Sequence, residues 1–220
     1  MSTCSTLSDA MTVIVRHLGL QDYKTTWQQM QQFNLNRDNT TEDEIWLLQH
    51  PPVFTLGLNG KQDHVLDAGS IPLVETDRGG QVTYHGPGQL IVYILFDLKR
   101  RKSGVRQIVS RIEQSVIDYL TEKNIQSEAR KDAPGVYVNN EKIAALGLRV
   151  KKGCCYHGLS LNVNMELAPF EQINPCGYPG LKVTSMSKLG VDDTLQQVAS
   201  NYLPFLCQQF DIDEIREIHD

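Results

Sequence analysis

The chain has 220 residues and a mass of 24.8 kDa, enough for one domain with a sizeable core. Hydrophobic residues make up 40% and glycine contributes 16 positions, ordinary globular usage that excludes disorder and fibrous architectures. Acidic side chains number 26 against 21 basic ones, and the resulting charge of −5 argues against general nucleic-acid binding.

In chain order, residues 12–18 alternate Val13 and Val15 with polar neighbours and predict a strand. Residues 21–36 carry Tyr23, Trp27, Met30 and Phe33 at helical spacing, with Asp22 at the start. Residues 44–49 and 52–58 predict two short strands around the Pro51-Pro52 break, and 71–75 another. Residues 90–98 (LIVYILFDL) are a continuous apolar run that predicts a fully buried strand. After Ser103, a helix is expected with Ile108, Ile112, Val116 and Tyr119 on one side, ending near Asn124. Residues 136–138 and 142–150, joined by Asn139-Asn140, predict a hairpin, because Asn tolerates the positive φ such turns require. Residues 156–164 give a further strand, and a last helix starts near Thr194, with Pro204 expected to kink or divide it. Strands and helices mix without strict βαβ alternation. The expected fold is α+β (α/β mixed), one domain over 1–220 with a central mixed or antiparallel sheet flanked by helices. The last 30 residues are candidates for a semi-detached helical cap.

Five cysteines (Cys4, Cys154, Cys155, Cys176, Cys207) are odd in number and irregularly spaced, so a fully paired disulfide framework is excluded. No C-x-x-C pair offers a zinc site, and no metal is expected. The N-terminal residues lack the pattern of a secretory signal, and no apolar stretch is long enough to span a membrane. The expected compartment is the cytoplasm, where each cysteine needs its own explanation. Cys4 is expected in a frayed terminus and Cys207 in a helix. Cys154 and Cys155, if extended, point to opposite sides. Cys176 differs, because Pro175 and Gly177 fix a turn around it that packing alone does not demand. A nucleophilic cysteine needs partial exposure and a nearby cation.

Lys142 is the candidate cation. Simple alternation places it with Ala144, Leu146, Leu148 and Val150 on an apolar face, where desolvation depresses a lysine pKa. The competing reading is an edge lysine that discourages strand aggregation. His85 and His157 each precede a glycine and are alternative partners for a cysteine, although a lone histidine is more often a structural hydrogen-bonder. Residues 78–89 (RGGQVTYHGPGQ) hold four glycines and a dense polar set, which reads as a ligand-lining loop or, more plainly, a tight turn. Neither GxxxxGK[ST] nor GxGxxG is present. Two local basic clusters, 99–102 (KRRK) and 149–152 (RVKK), stand out on the acidic chain and are candidate docking sites for an acidic partner.

Taken together, RGGQVTYHGPGQL (78–90), GVYVNNEKIAALGLRV (135–150), YHGLSLNVN (156–164) and INPCGYPGLKVTS (173–185) resemble the octanoyl (lipoyl) transferase family of the biotin/lipoate protein ligase superfamily. The resemblance spans about half the chain in ordered blocks. It implies transfer of an octanoyl group from acyl carrier protein to a lysine of lipoyl domains, with Cys176 as nucleophile and Lys142 as its partner. It implies an acyl-substrate pocket at Arg78, Gly79, Gly80, Gln81, Val82, Thr83, Tyr84, His85, Ala145, Leu146, Gly147, Gly158, Leu159 and Ser160. Ser160 stands where the family often has alanine. No cofactor is implied, since the octanoyl group arrives on the phosphopantetheine of the carrier. The alternatives are an ATP-dependent lipoate or biotin protein ligase, a non-catalytic acyl-binding module, and a cysteine hydrolase using Cys176 with His157.

Overall fold

The apolar run after Gly88 decides the architecture. It forms β6 (Gln89–Leu95), buried along its whole length. Its side chains alternate between two cores: Leu90, Val92, Ile94 and Phe96 enter one, Ile91, Tyr93 and Leu95 the other. A strand apolar on both faces needs cover on both faces, and three helices supply it. On one side lies α1 (Tyr23–Asn36), capped by Asp22, whose carboxylate accepts the Thr25 N–H at 2.8 Å. It brings Met30, with Trp27 and Phe33, against Tyr93 and Trp46. On the other side lie α2 (Val105–Glu122) and α3 (Leu195–Gln209).

The computed structural model describes residues 11–219, so Cys4 lies outside the described residues. The large sheet is mixed. In spatial order it comprises β11 (Glu214–His219), β1 (Thr12–Leu20), β2 (Asp43–Gln49), β6, β10 (Cys154–Asn162), β9 (Glu141–Lys151), β8 (Gly135–Val138) and β7 (Glu128–Ala129). β1 runs parallel to both β11 and β2, and the remaining pairs are antiparallel. A second sheet holds β4 (Leu73–Glu75), β3 (Val53–Leu56) and β5 (Val82–His85).

Four expectations change. Residues 82–85 form β5 rather than a loop, and Gly86-Pro87-Gly88 makes the turn into β6, with Gln89 N–H donating to Gly86 O at 3.2 Å. Pro204 lies on the exposed side of α3, which runs on past it and is not divided there. The last 30 residues are not a detached cap. Tyr202 Oη meets Ser115 Oγ at 2.7 Å in the interface of α3 with α2, and β11 completes the sheet edge, where His17 stacks on His219 and meets Glu217 at 2.9 Å.

The fourth change concerns Lys142. Tyr137 pairs with Lys142 but Val136 pairs with Ala144, so Ile143 is an extra residue in β9. Such a bulge shifts the alternation by one. Val136 and Ala144 face the helical core. Lys142 instead shares the side of Tyr137, whose ring centroid is 5.1 Å from Nζ.

One ion cluster anchors the start of β2. Asp43 is 4% exposed and receives Arg37, Arg100 (2.7 Å) and Arg101 (2.5 Å). Arg100 and Arg101 of the first basic cluster are therefore engaged within the fold. Asp43→Ala should destabilise the protein by about 3–5 kcal/mol, because it strands buried guanidinium groups. Urea unfolding checks this, and a loss below about 1 kcal/mol would mean that water already solvates the arginines.

Candidate active site

The segment after Phe170 returns along β9 and brings Cys176 to Lys142. Asn174 N–H donates to His64 O at 2.8 Å, Lys142 N–H to Lys182 O at 2.9 Å, and Thr184 N–H to Lys142 O at 3.0 Å. The last two bonds form a short parallel bridge between Lys142 and Val183. Cys176 occupies the tight turn Pro175–Gly177 with φ 57° and ψ 16°, a left-handed conformation that costs a non-glycine residue about 1–2 kcal/mol. The turn is closed by Gly177 N–H to Asn174 O at 2.9 Å and Tyr178 N–H to Pro175 O at 3.1 Å. The strain presents the half-buried sulfur towards β9.

Lys142 is 3% exposed, and its Nζ donates to Cys176 Sγ at 2.9 Å and to Pro134 O at 3.0 Å. Burial alone would lower its pKa. The charge and hydrogen bond of Cys176, helped by Tyr137, outweigh burial and raise it. The depressed value expected for a desolvated lysine is thus corrected, and the resting side chain is an ammonium. The other described cysteines lack such a partner. Burial pushes the Cys155 thiol up to about 12 and raises those of Cys154 and Cys207.

Cys176 opens onto a cavity of about 370 Å³. Of the expected pocket, Arg78, Gly79, Gly80, Gln81, Val82, Thr83, His85, Ala145, Leu146, Gly147, Gly158, Leu159 and Ser160 all line it. Tyr84 does not come to it. As a β5 residue next to Thr83 and His85 it turns to the opposite face, against Phe54 and Phe170. Gly158 is needed here because a Cβ would sit 2.1 Å from Val92 O, blocking the approach of β10 to β6. Arg78 is spent on β3 and its own loop, donating to Thr55 O (2.6 Å), Gln81 O (2.8 Å) and Gly79 O (2.9 Å). It braces the cavity wall.

The cavity also has walls that sequence reasoning missed. Tyr23 comes from α1, Tyr93 from β6, and Val105 and Val109 from α2. Burial favours the neutral form of His50, His85 and His157, the last two of which line the cavity themselves. His50 donates from Nδ1 to Gln21 O and accepts from Tyr93 Oη, both at 2.7 Å, and burial lowers its pKa to about 4. His85 bonds Gln89 Oε1 at 2.7 Å, and burial lowers its pKa as well. His157, at φ 63°, meets Asp77 Oδ1 at 3.3 Å. Asp77 also receives Trp27 Nε1 at 2.7 Å and the Tyr156 hydroxyl. Both histidines named as rival cysteine partners therefore bond elsewhere, and the sulfur pairs with Lys142.

The second basic cluster ends β9 at Lys151, nine residues beyond Lys142. At about 3.3 Å per residue that is some 30 Å, about three Debye lengths. Arg149 of the same cluster lies closer in, following the cavity-lining Leu148 and 3.9 Å from Asp77. Among the described residues, no helix is long and apolar enough to cross a membrane.

Comparison with known proteins follows the same line. The chain is similar to the octanoyltransferase of Nitrosococcus oceani, 58% identical over 200 residues that cover 91% of this chain and 89% of the relative. It is 59% identical over 192 residues to the octanoyltransferase of Laribacter hongkongensis, covering 87% and 93%. Among solved structures it resembles a lipoate-protein ligase A bound with ATP, at TM-score 0.79 and 13% identity over 95% of this chain and 89% of that one. It also resembles an archaeal bipartite lipoate protein ligase, from a study of that ligase and its E2 lipoyl domain in Thermoplasma acidophilum, at TM-score 0.74 and 14% identity over 94% and 88%. At these identities the two structures speak for the fold alone. Residues 22–205 match the lipoyl protein ligase A/B catalytic domain, and the chain belongs to that family.

Proposed function

We propose that Cys176 and Lys142 move an octanoyl group from a carrier thioester to a lysine of a lipoyl domain. The chain is an acyltransferase of protein lipoylation, in keeping with relatives named octanoyltransferase that match nearly its whole length. The route is supported by one observation above the rest: the Lys142 ammonium lies 2.9 Å from the sulfur of Cys176, which lines a largely apolar cavity.

In the first step the thiolate attacks the octanoyl thioester carbonyl, and the carrier's pantetheine thiol leaves with the proton of Lys142. One thioester replaces another, so the step is nearly isoenergetic. Acylation also removes the sulfur's negative charge, which was what raised the lysine pKa, and burial then favours the neutral amine. In the second step the acceptor lysine amine attacks the Cys176 thioester, its proton passes to neutral Lys142, and the thiolate leaves. The amide is formed and the resting ion pair restored.

The donor is acyl carrier protein, with the octanoyl group on its phosphopantetheine and no separate cofactor. An ATP-dependent ligase on the same fold makes the opposite demand: free acid and ATP, with no thiol. Incubation with a lipoyl domain separates them. Octanoyl carrier protein should yield the octanoyl-lysine amide, while ATP with free octanoate should yield none. Product in the second tube alone would refute the thioester route.

A further inference from the structure

One buried carboxylate has no part in these steps. Glu113 lies on α2 beside Ile112 and Val116 and is 8% exposed. Burial pushes its carboxyl up, and the Gly135 N–H and the Lys142 charge partly offset this. Its Oε1 accepts the Gly135 N–H at 2.9 Å. The carbonyl of the same peptide unit, Pro134 O, accepts Lys142 Nζ at 3.0 Å. Glu113 and Lys142 thus hold opposite ends of one planar amide. Gly135, at φ 142°, lets that amide lie against the lysine, since a Cβ there would come within 2.9 Å of Lys142 Cε and 2.7 Å of Ala144 O. Aligned hydrogen bonds polarise one another, so the Glu113 bond also strengthens the carbonyl's hold on the ammonium.

We propose that Glu113 is a positioning residue for the Cys176–Lys142 pair, acting through the single peptide plane between Pro134 and Gly135. The inference rests on the two-step reading above. Lys142 would otherwise be free to turn about its long side chain. The charged or titratable groups around the pair are Tyr137 and Glu113 beside Lys142, Arg78 and His64 on the side of Cys176 and Gly177, and Arg130 over the Tyr137 ring at 4.3 Å. Because the action is acceptance of one N–H, an amide oxygen at the same place should serve nearly as well as a carboxylate.

The test measures Cys176 alkylation by iodoacetamide against pH, and octanoyl transfer from carrier to lipoyl domain, for wild type, Glu113→Ala, Glu113→Gln and Lys142→Ala. Near-UV circular dichroism monitors folding. Glu113→Ala should move the alkylation profile to higher pH, in the direction of Lys142→Ala, and slow transfer about 10- to 100-fold. Glu113→Gln should recover most of both. A folded Glu113→Ala with the wild-type profile and rate overturns the assignment, as does a Glu113→Gln no better than the alanine variant. Should Glu113→Ala fail to fold, Glu113→Asp withdraws the acceptor by one methylene and should give the same shift; a wild-type profile there overturns the assignment too. Lys142→Ala leaving the profile unmoved refutes the two-step reading beneath. Lys142→Ala moving it while Glu113→Ala does not refutes the role of Glu113 alone.

Discussion

Cys176→Ala, offered octanoyl carrier protein, should acquire no stable octanoyl mass, and its transfer to a lipoyl domain should fall on the order of 10⁴-fold or more. The expectation rests on more than the position of one sulfur. Of the described cysteines, Cys155 is buried in the core with a thiol held near 12, and burial also raises the thiols of Cys154 and Cys207. Cys176 alone among these accepts a hydrogen bond from an ammonium, at 2.9 Å. Alanine in place of Cys176 removes one atom from a half-buried turn whose closing bonds run through the backbone of Asn174, Pro175, Gly177 and Tyr178. The fold should therefore persist, and the melting temperature should separate lost chemistry from lost structure. Intact-protein mass spectrometry reads the result directly. A single stable octanoyl mass on the alanine variant would assign the reaction to another nucleophile.

What could be read from the sequence follows the range of the forces involved. β6 and the apolar faces of α2 and α3 were legible because hydrophobic periodicity is local. The Asn139-Asn140 turn was legible for a similar reason, both residues taking positive φ. The bulge at Ile143 was not, because an extra residue is defined only against the partner strand. β7 and β11 carry exposed or polar side chains and exist through pairing with β8 and β1, so no apolar pattern announces them. The same holds for the site. Its Gly-rich and Pro-Cys-Gly segments could be picked out, whereas Tyr23 and Tyr93 reach the cavity only through tertiary packing. Glu113 did leave a signal. It sits between Ile112 and Val116 on the buried half of an amphipathic helix, where a charge needs a reason.

Lys142→Ala tests the charge cycle as a whole, and its two half-reactions should fail in different ways. In the resting enzyme the raised lysine pKa keeps the ammonium in place at neutral pH and beyond, so the sulfur has its counter-ion throughout the working range. Without it, alkylation at pH 7 should slow about 10-fold or more, and the deficit should shrink as pH rises and hydroxide takes over the deprotonation. The acyl-enzyme can still form, slowly, because the carrier thioester is itself activated. It should then stall, since no neutral amine stands ready to take the proton of the acceptor lysine. The loss in that step should be about 10² to 10⁴-fold, the usual worth of a general base. Mass spectrometry during turnover should accordingly show the octanoyl adduct accumulating on Cys176 in the variant and clearing in wild type. A variant that clears its adduct at the wild-type rate would confine Lys142 to activating the sulfur, and the proton would have to leave by another path. The pH dependence carries the same logic from the other side. Acylation of wild-type Cys176 by the carrier should hold steady through the alkaline range until the Lys142 ammonium itself titrates, above the ordinary lysine value of 10.5, because only then does the resting pair lose its positive half.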